Sequence, residues 1–455
     1  MGKLIASLCC IIGIAALFRL DREKNARVSR AIWIPTIYLL IIASRGVSGW
    51  LELEPTNSAD GLYSSPVDAV VNFVLLGLAL LVLIYRGRKV SYLLRGNRAV
   101  LLFYSYAALS MLWSDFPFVT LKHWTKGIED VAMVLVVLTE VDPVRAVRRI
   151  LTTAAFILIP LSPLLGHFYP EGRVYTKGGA PEFVGVATQK NQLGQTCLIL
   201  GLGTLWCFLR AYQDRTAPNR RRRLIAHGIV FAIVGYLFQQ CQSLTSTVAL
   251  VLTGTVMVIA SRRSVAAKPA KLHLLVAAAL AVAVVPVFVA PSLVETMGRD
   301  TTLSGRTEIW SILPTLVRNQ WLGAGYETFL MGPRLVAARA LMDASFQEAH
   351  NGYLEVYLNL GRIGAFLFAC LLISGYRKLI AAVGRDPAVS SLGLALFIGV
   401  LIEGLSEAPF RMLAPTMFFL LWAIMGASKE AISINRARRS RSGDYTNEVE
   451  MSISV

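Results

Sequence analysis

The chain has 455 residues, of which 55% are hydrophobic and only 16% charged. A soluble domain carries about 25% charged residues, and a soluble chain of this length would divide into roughly three domains. Apolar runs of membrane-span length recur from end to end with the charges between them, which excludes a soluble enzyme and a disordered chain. The formal net charge of +17 is spread in short basic clusters between apolar runs. That pattern fits loops beside anionic lipid headgroups, not a nucleic-acid face.

In chain order, the apolar runs predict spans near 4–18, 31–49, 66–85, 99–113, 128–140, 146–165, 191–209, 224–240, 244–260, 272–290, 353–376, 389–406 and 412–426. A spanning helix needs about 20 residues, so several of these cores are short. The first run reads as a short span, an interfacial helix or a signal-like segment; no small-residue cleavage site follows it. Alternate loops hold 31 and 13 Lys and Arg, and the richer set is assigned to the cytoplasm. If 4–18 spans, there are thirteen helices and an outside N-terminus; if not, there are twelve and both ends are inside. The expectation is an all-α polytopic membrane protein of about 12–13 transmembrane helices, with residues 1–426 forming one transmembrane domain. The Arg- and Ser-rich segment 427–455 reads as a disordered cytoplasmic tail. Cys9, Cys10, Cys197, Cys207, Cys241 and Cys370 form no CxxC pair and read as small hydrophobes.

One connection is long. Residues 291–352 form a large outer, periplasmic loop with helical patterning of its own. Ile309, Ile312, Leu313, Leu316 and Val317 have helix spacing within 307–322, where Pro314 is expected to kink the helix or shift its start. A second helix is expected over 332–349, with proline near its first turn. A long structured loop beside a bundle is a natural seat of function.

Several chemistries lack their motifs. There is no GxxxxGK[ST] loop, no HExxH or Cys/His cluster, no GxSxG elbow and no Asp-x-Asp pair. The reading is therefore chemistry without a metal, a cofactor or a soluble nucleotide. What remains are three outer constellations. The first is Ser304-Gly305-Arg306, near the start of the large loop. The second is His350-Asn351 at its end, followed by Glu355, Gly361 and Gly364. The third is the loop 166–190, with Arg173, Lys177, Lys190 and Asn191, the last two at the start of a span where free N–H groups attract anions.

Arginine stays protonated and can grip phosphate bidentately. Histidine, with a reference pKa of about 6.5, suits general-base work. Together they fit displacement of a sugar from a lipid diphosphate at headgroup depth. Plainer roles stand beside these: a capping His-Asn pair, a loop charge at Arg306, interfacial anchoring by Lys177 and Lys190, and close helix packing at Gly361 and Gly364. Trp113, Trp124 and Trp321 are interfacial-belt candidates. Glu403, Glu407 and Arg411 on the outer side either pair structurally or help hold sugar.

The runs SGRTEIW, NQWLGAGYETF and AHNGYLEVYLNLGRIG resemble the signature region of the O-antigen ligase and polymerase superfamily. QKNQLGQ in the preceding outer loop and SLTS at 243–246 resemble it as well. The resemblance spans roughly 100–426 and is nearest to exopolysaccharide production proteins that polymerise repeat units; the first hundred residues carry no family motif. It implies a GT-C-like membrane glycosyltransferase with an undecaprenyl-diphosphate-linked donor, no metal and inverting displacement. It implies that Arg306 faces phosphate and that His350 is the base, with Arg173, Lys190 and Asn191 as further diphosphate contacts. Implied surroundings are the bacterial inner membrane, a chain-length regulator and export proteins, and no nucleic acid. Two rivals stand: a ligase moving finished glycan onto lipid A core, and a transporter of lipid-linked sugars, for which Arg362 and Glu129–Asp130 in or near spans would speak.

Overall fold

Apolar runs punctuated by Pro, Gly and charge clusters become helices throughout. The computed structural model describes residues 2–22, 28–53, 65–175, 179–216, 219–288, 302–342, 346 and 348–428. Lys177, residues 291–301 and the expected tail from 429 onward lie outside the described residues.

The first half holds α1 (Gly2–Leu20), α2 (Trp33–Ile42), α3 (Pro66–Tyr85), α4 (Gly87–Arg95), α5 (Arg98–Leu109), α6 (Pro117–Leu138) and α7 (Pro143–Phe168). A two-stranded antiparallel hairpin follows, β1 (Arg173–Tyr175) with β2 (Pro181–Phe183). Then come α8 (Lys190–Gln213), α9 (Arg220–Cys241), α10 (Leu244–Ala260) and α11 (Pro269–Phe288). The large loop contributes α12 (Thr302–Ile312) and α13 (Gly332–Met342). The chain then returns as α14 (Gly352–Arg385), α15 (Pro387–Glu403) and α16 (Pro415–Gly426). The architecture is all-α and polytopic. Among the described residues, six helices (α1, α3, α7, α8, α9 and α14) are long and apolar enough to cross a membrane by length and composition. The shorter apolar segments Arg30–Ile42, Arg98–Leu112, Leu244–Ala260, Pro269–Val285, Pro387–Glu403 and Pro415–Gly426 complete the pattern.

Burial explains which helices are central. Leu193–Thr204 of α8, Ser391–Val400 of α15 and Pro415–Met425 of α16 are buried along their length, as expected of helices apolar all round inside a bundle. The outer helices leave apolar faces uncovered: Leu4, Leu8, Ile11 and Ile12 on α1, and Val70, Phe73, Leu81 and Ile84 on α3. In a membrane chain such faces meet acyl chains, which are as apolar as Leu.

Polar contacts sort the loops into the two sets that the Lys and Arg count separated. At the basic end, Asp21 takes Arg148 at 2.9 Å, Arg223 at 3.4 Å and His227 at 3.3 Å. Arg86 pairs with Glu140, and Lys378 donates to the Gly96 carbonyl at 2.8 Å. At the other end lie Arg45, the hairpin, Asn191, the large loop and residues 404–414.

The expected boundaries shift where polar residues and prolines intervene. The run 31–49 yields a ten-residue helix, α2, after a 3-10 turn. Helix α6 begins eleven residues before the expected 128, with Pro117 at its first turn; Lys122, Lys126, Glu129 and Asp130 mask its helical character in a hydropathy reading. In the large loop Pro314, without an N–H, converts the helix to a 3-10 turn over Leu313–Leu316, so helix α12 stops at Ile312 and not at 322. Helix α13 ends at Met342 and not at 349. The hairpin was not expected from the sequence.

The large loop has a small core of its own. Ile309, Leu313, Phe329, Ala338, Phe346 and Leu358 cluster with Ala324 and Ala349. It is also stitched to α14. Gly361 has φ +66° and ψ −167°, which breaks α14 within its expected span. Residues 320–325 run beside the break and pair with the backbone groups it frees. Arg362 N donates to Gln320 O at 2.9 Å, Ile363 N to Trp321 O at 3.2 Å, and Gly325 N to Asn359 O at 2.8 Å. Gly361 is thus a backbone break and close approach, not only a packing surface. Non-helical backbone at membrane depth is tolerated where protein covers it.

Candidate active site

The return from the large loop into α14 fixes His350. Asn351 caps α14, its Oδ1 accepting from Leu354 N at 3.0 Å, as a good N-cap should. His350 itself has φ +50°, a strained region for a side chain of this size. Its neighbours hold it there. Ala349 N donates to Glu355 Oε1 at 2.8 Å, Trp310 Nε1 to Ala349 O at 2.9 Å, and Gly352 N to Gly404 O at 3.0 Å.

Helix α15 ends at Glu403, and one more turn carries Glu407, whose N–H reaches Glu403 O at 2.8 Å. The Glu407 side chain is 4% exposed and gathers residues from three separate segments. Arg306 of α12 gives Nη2 to Glu407 Oε1 at 2.9 Å and Nη1 to the Ser406 carbonyl at 2.5 Å. Asn191, in the first turn of α8, gives Nδ2 to Glu407 Oε2 at 3.0 Å. His350 Nδ1 stands 3.4 Å from the same Oε2 and 3.2 Å from Glu348 Oε1. His350, Arg306 and Asn191, far apart in sequence, therefore share one carboxylate.

Two carboxylates facing Nδ1 keep a proton on that nitrogen and leave the Nε2 lone pair as the basic site. Burial alone would lower the His350 pKa. The hydrogen bond to Glu407 and the charges of Glu348 and Glu407 outweigh it, against Arg306, and raise the pKa above its ordinary value. Among the described residues Arg306 uses two of its five N–H donors, on Ser406 and Glu407, leaving the remainder of its fork for a further acceptor.

Beyond His350 the network continues. Arg411 lies 3.5 Å from Glu348 and 3.5 Å from Glu327. The carboxylates of Glu348 and Glu407 and the His350 ring present donor atoms within 4.8 Å of one another, a spacing that a small cation could bridge. Arg306 and Asn191 each already donate to one Glu407 oxygen, and the Arg306 guanidinium supplies a positive charge there.

Lys190 and Arg173 take other partners. Lys190 Nζ meets Glu182 Oε1 of β2 at 2.6 Å, and Arg173 Nε donates to the Gly166 carbonyl at 2.7 Å. Lys190 adjoins Asn191 in the chain, and its partner Glu182 lies opposite Val174, next to Arg173, in the hairpin. The SLTS segment touches the site from below: Thr245 Oγ1 is 2.6 Å from Ser406 Oγ. Glu403 is fully buried one turn behind Glu407.

The tryptophans have specific partners. Trp113 donates to Leu322 O at 3.1 Å and Trp124 to Tyr104 O at 2.9 Å. Arg362 lies over the exposed Trp321 ring at 5.2 Å, at the helix break. Asp130 is buried, accepting from Tyr38 at 2.7 Å and from Leu413 N at 3.2 Å. Glu348 was missed in the sequence; its signal is an acid two residues before a candidate base. Glu407 was read only as a pairing or sugar-holding group.

Among known families, residues 228–369 match the O-antigen ligase. The matched segment holds Arg306 and His350, while Asn191 and Glu407, on either side of it in the chain, reach them. The chain is also similar to the exopolysaccharide production protein ExoQ of Rhizobium meliloti (strain 1021). The two are 26% identical over 406 residues, covering 83% of this chain and 86% of that relative.

Proposed function

We propose that this protein is a membrane glycosyltransferase of polysaccharide synthesis. It moves an oligosaccharide from undecaprenyl diphosphate to a sugar hydroxyl at the outer face of the bacterial inner membrane. The observation that carries the reading is the convergence of Arg306, His350 and Asn191 on Glu407. An imidazole with a free Nε2 beside a guanidinium with unused donors supplies a base and an anion clamp at one place. The acceptor oxygen bonds to the anomeric carbon as the carbon–oxygen bond to the diphosphate breaks. The hydroxyl proton goes to His350 Nε2. Undecaprenyl diphosphate leaves as an anion, stabilised by Arg306 with Asn191 and, from the neighbouring wall, Lys190 or Arg173. One displacement inverts the anomeric centre, and no step calls for a metal.

The likeness to an exopolysaccharide production protein favours extension of repeat units over transfer of finished glycan to lipid A core. A pure carrier is disfavoured by the clustering of these groups at one end of the bundle.

The test is purified protein in detergent with a lipid-linked oligosaccharide and EDTA, without any gradient. Elongated glycan and released undecaprenyl diphosphate are expected. His350→Ala, still folded by size-exclusion, should lose on the order of 10²–10⁴-fold in rate. Wild-type chain lengths from His350→Ala would remove the base from this account, and loss of turnover in EDTA would restore a metal to it.

A further inference from the structure

The loop preceding Asn191 must be held in place for its amide to reach Glu407, and the end of α2 holds it. Arg45 is 9% exposed and lies three residues past α2. Its Nε donates to Ala187 O at 3.1 Å, and its Nη2 donates to Gly185 O at 2.9 Å and also to Glu171 O. Those carbonyls flank the β1–β2 hairpin on both sides. The two residues before Arg45 hold the adjoining helix. Ser44 O accepts from Gln192 Nε2 at 3.0 Å, and Ala43 O accepts from Thr196 Oγ1 at 2.9 Å. Gln192 Oε1 in turn accepts from Thr188 N at 3.0 Å and Thr188 Oγ1 at 2.8 Å. Three consecutive residues at the end of α2 thus clamp both feet of the hairpin loop and the first turns of α8.

We propose that Arg45 is a positioning residue for the transfer reaction. Its guanidinium fixes the two feet of the hairpin loop, 170–175 and 179–189, beside the site and so sets the register in which Asn191 reaches Glu407, with Lys190 at the rim. The chemistry requires arginine. Carbonyls at three positions need donors diverging from a planar fork, and buried carbonyls left without donors are costly. Lysine supplies the charge as a single point and cannot span them. The kinetic part of this inference rests on the glycan-transfer reading; the structural part does not.

The test uses Arg45→Ala and Arg45→Lys in the full chain, with Arg318→Ala as an exposed control. Hydrogen exchange by mass spectrometry is the readout independent of activity. Amides of 171–193 should exchange faster in Arg45→Ala, less so in Arg45→Lys, with α15 and α16 unchanged. In the transfer assay the KM for the lipid-linked donor should rise on the order of tenfold at a nearly unchanged acid limb of the pH profile. Added guanidinium, below denaturing concentration, should restore KM in Arg45→Ala, and ammonium should not. Wild-type exchange across 171–193 in both variants would overturn the proposal, as would a fall in kcat alone with the loop still protected. Should Arg45→Ala fail to fold, Arg45→Lys alone decides between these outcomes. Should the wild type show no transfer, the catalytic reading falls while the exchange result still judges the clamp.

Discussion

Glu407 neutralises Arg306, orients Asn191 and, with Glu348, sets the tautomer and basicity of His350. Two predictions belong at this scale. Arg306→Lys keeps the charge but loses the planar fork, so it should lose on the order of 10²-fold in transfer rate; undiminished turnover would leave Arg306 a structural residue. Glu348→Gln removes one of the negative charges that raise the His350 pKa. The pKa then falls, the neutral base persists to lower pH, and the acid limb of the rate profile moves to lower pH. A limb that stays put or moves upward would contradict the assignment. The same raised pKa adds stability that is fully present below the reference His value of about 6.5 and is lost as pH rises through the folded value. The residue types Arg306, His350 and Asn191 were legible because their chemistry is unusual at apolar-run boundaries. Glu348 and the role of Glu407 were not, because an acid in a loop carries no mark of what it will face.

At the scale of elements, the break in α14 decides how the large loop is seated. A Cβ at Gly361 would lie 2.3 Å from Trp321 O, and one at Gly323 would lie 2.5 Å from Asn359 O. Both positions also have positive φ, so two glycines approach each other's backbone where no side chain fits. Gly361→Ala should lose about 1–3 kcal/mol from the backbone conformation alone and more from the clash, seen as a lower melting temperature in detergent. Gly77→Ala, mid-helix in α3 with nothing within 4 Å, should leave melting unchanged or raise it. Equal effects of the two would refute the break. Helix α10 falls on its predicted residues 244–260 because Ser243 and Ser261 bound an uncharged run whose only polar side chains are small hydroxyls. The hairpin and the early start of α6 escaped prediction because short strands and charged helix turns carry no apolar period.

At the scale of the molecule, α8, α15 and α16 form the buried centre and α1 lies at its margin, mostly uncovered. Helix α1 contacts α7 and α9 and is tied at its C-terminal end by Asp21 to Arg148, Arg223 and His227. Asp21→Asn leaves Arg148, Arg223 and His227 without their common carboxylate, and removing one partner of a buried ion group costs on the order of 3–5 kcal/mol. The loss should appear as reduced cross-linking between cysteines placed on α1 and α7, with the candidate site at the other end of the bundle still active. Unchanged cross-linking would mean that lipid contacts alone seat α1.

The sequence by itself determined that the chain is a multi-pass membrane protein and where basic clusters and candidate polar residues fall between its apolar runs. Those properties are local: an apolar run or a basic cluster acts through its own transfer energy wherever it lies. Only the tertiary structure decided that Arg306, His350 and Asn191 meet on one carboxylate, that residues 320–325 fill the break at Gly361, and that Arg45 clamps a loop some 140 residues away in the chain. Such contacts depend on which helices become neighbours. That choice is made by side-chain shape and close packing across the whole bundle, which no window along the chain contains.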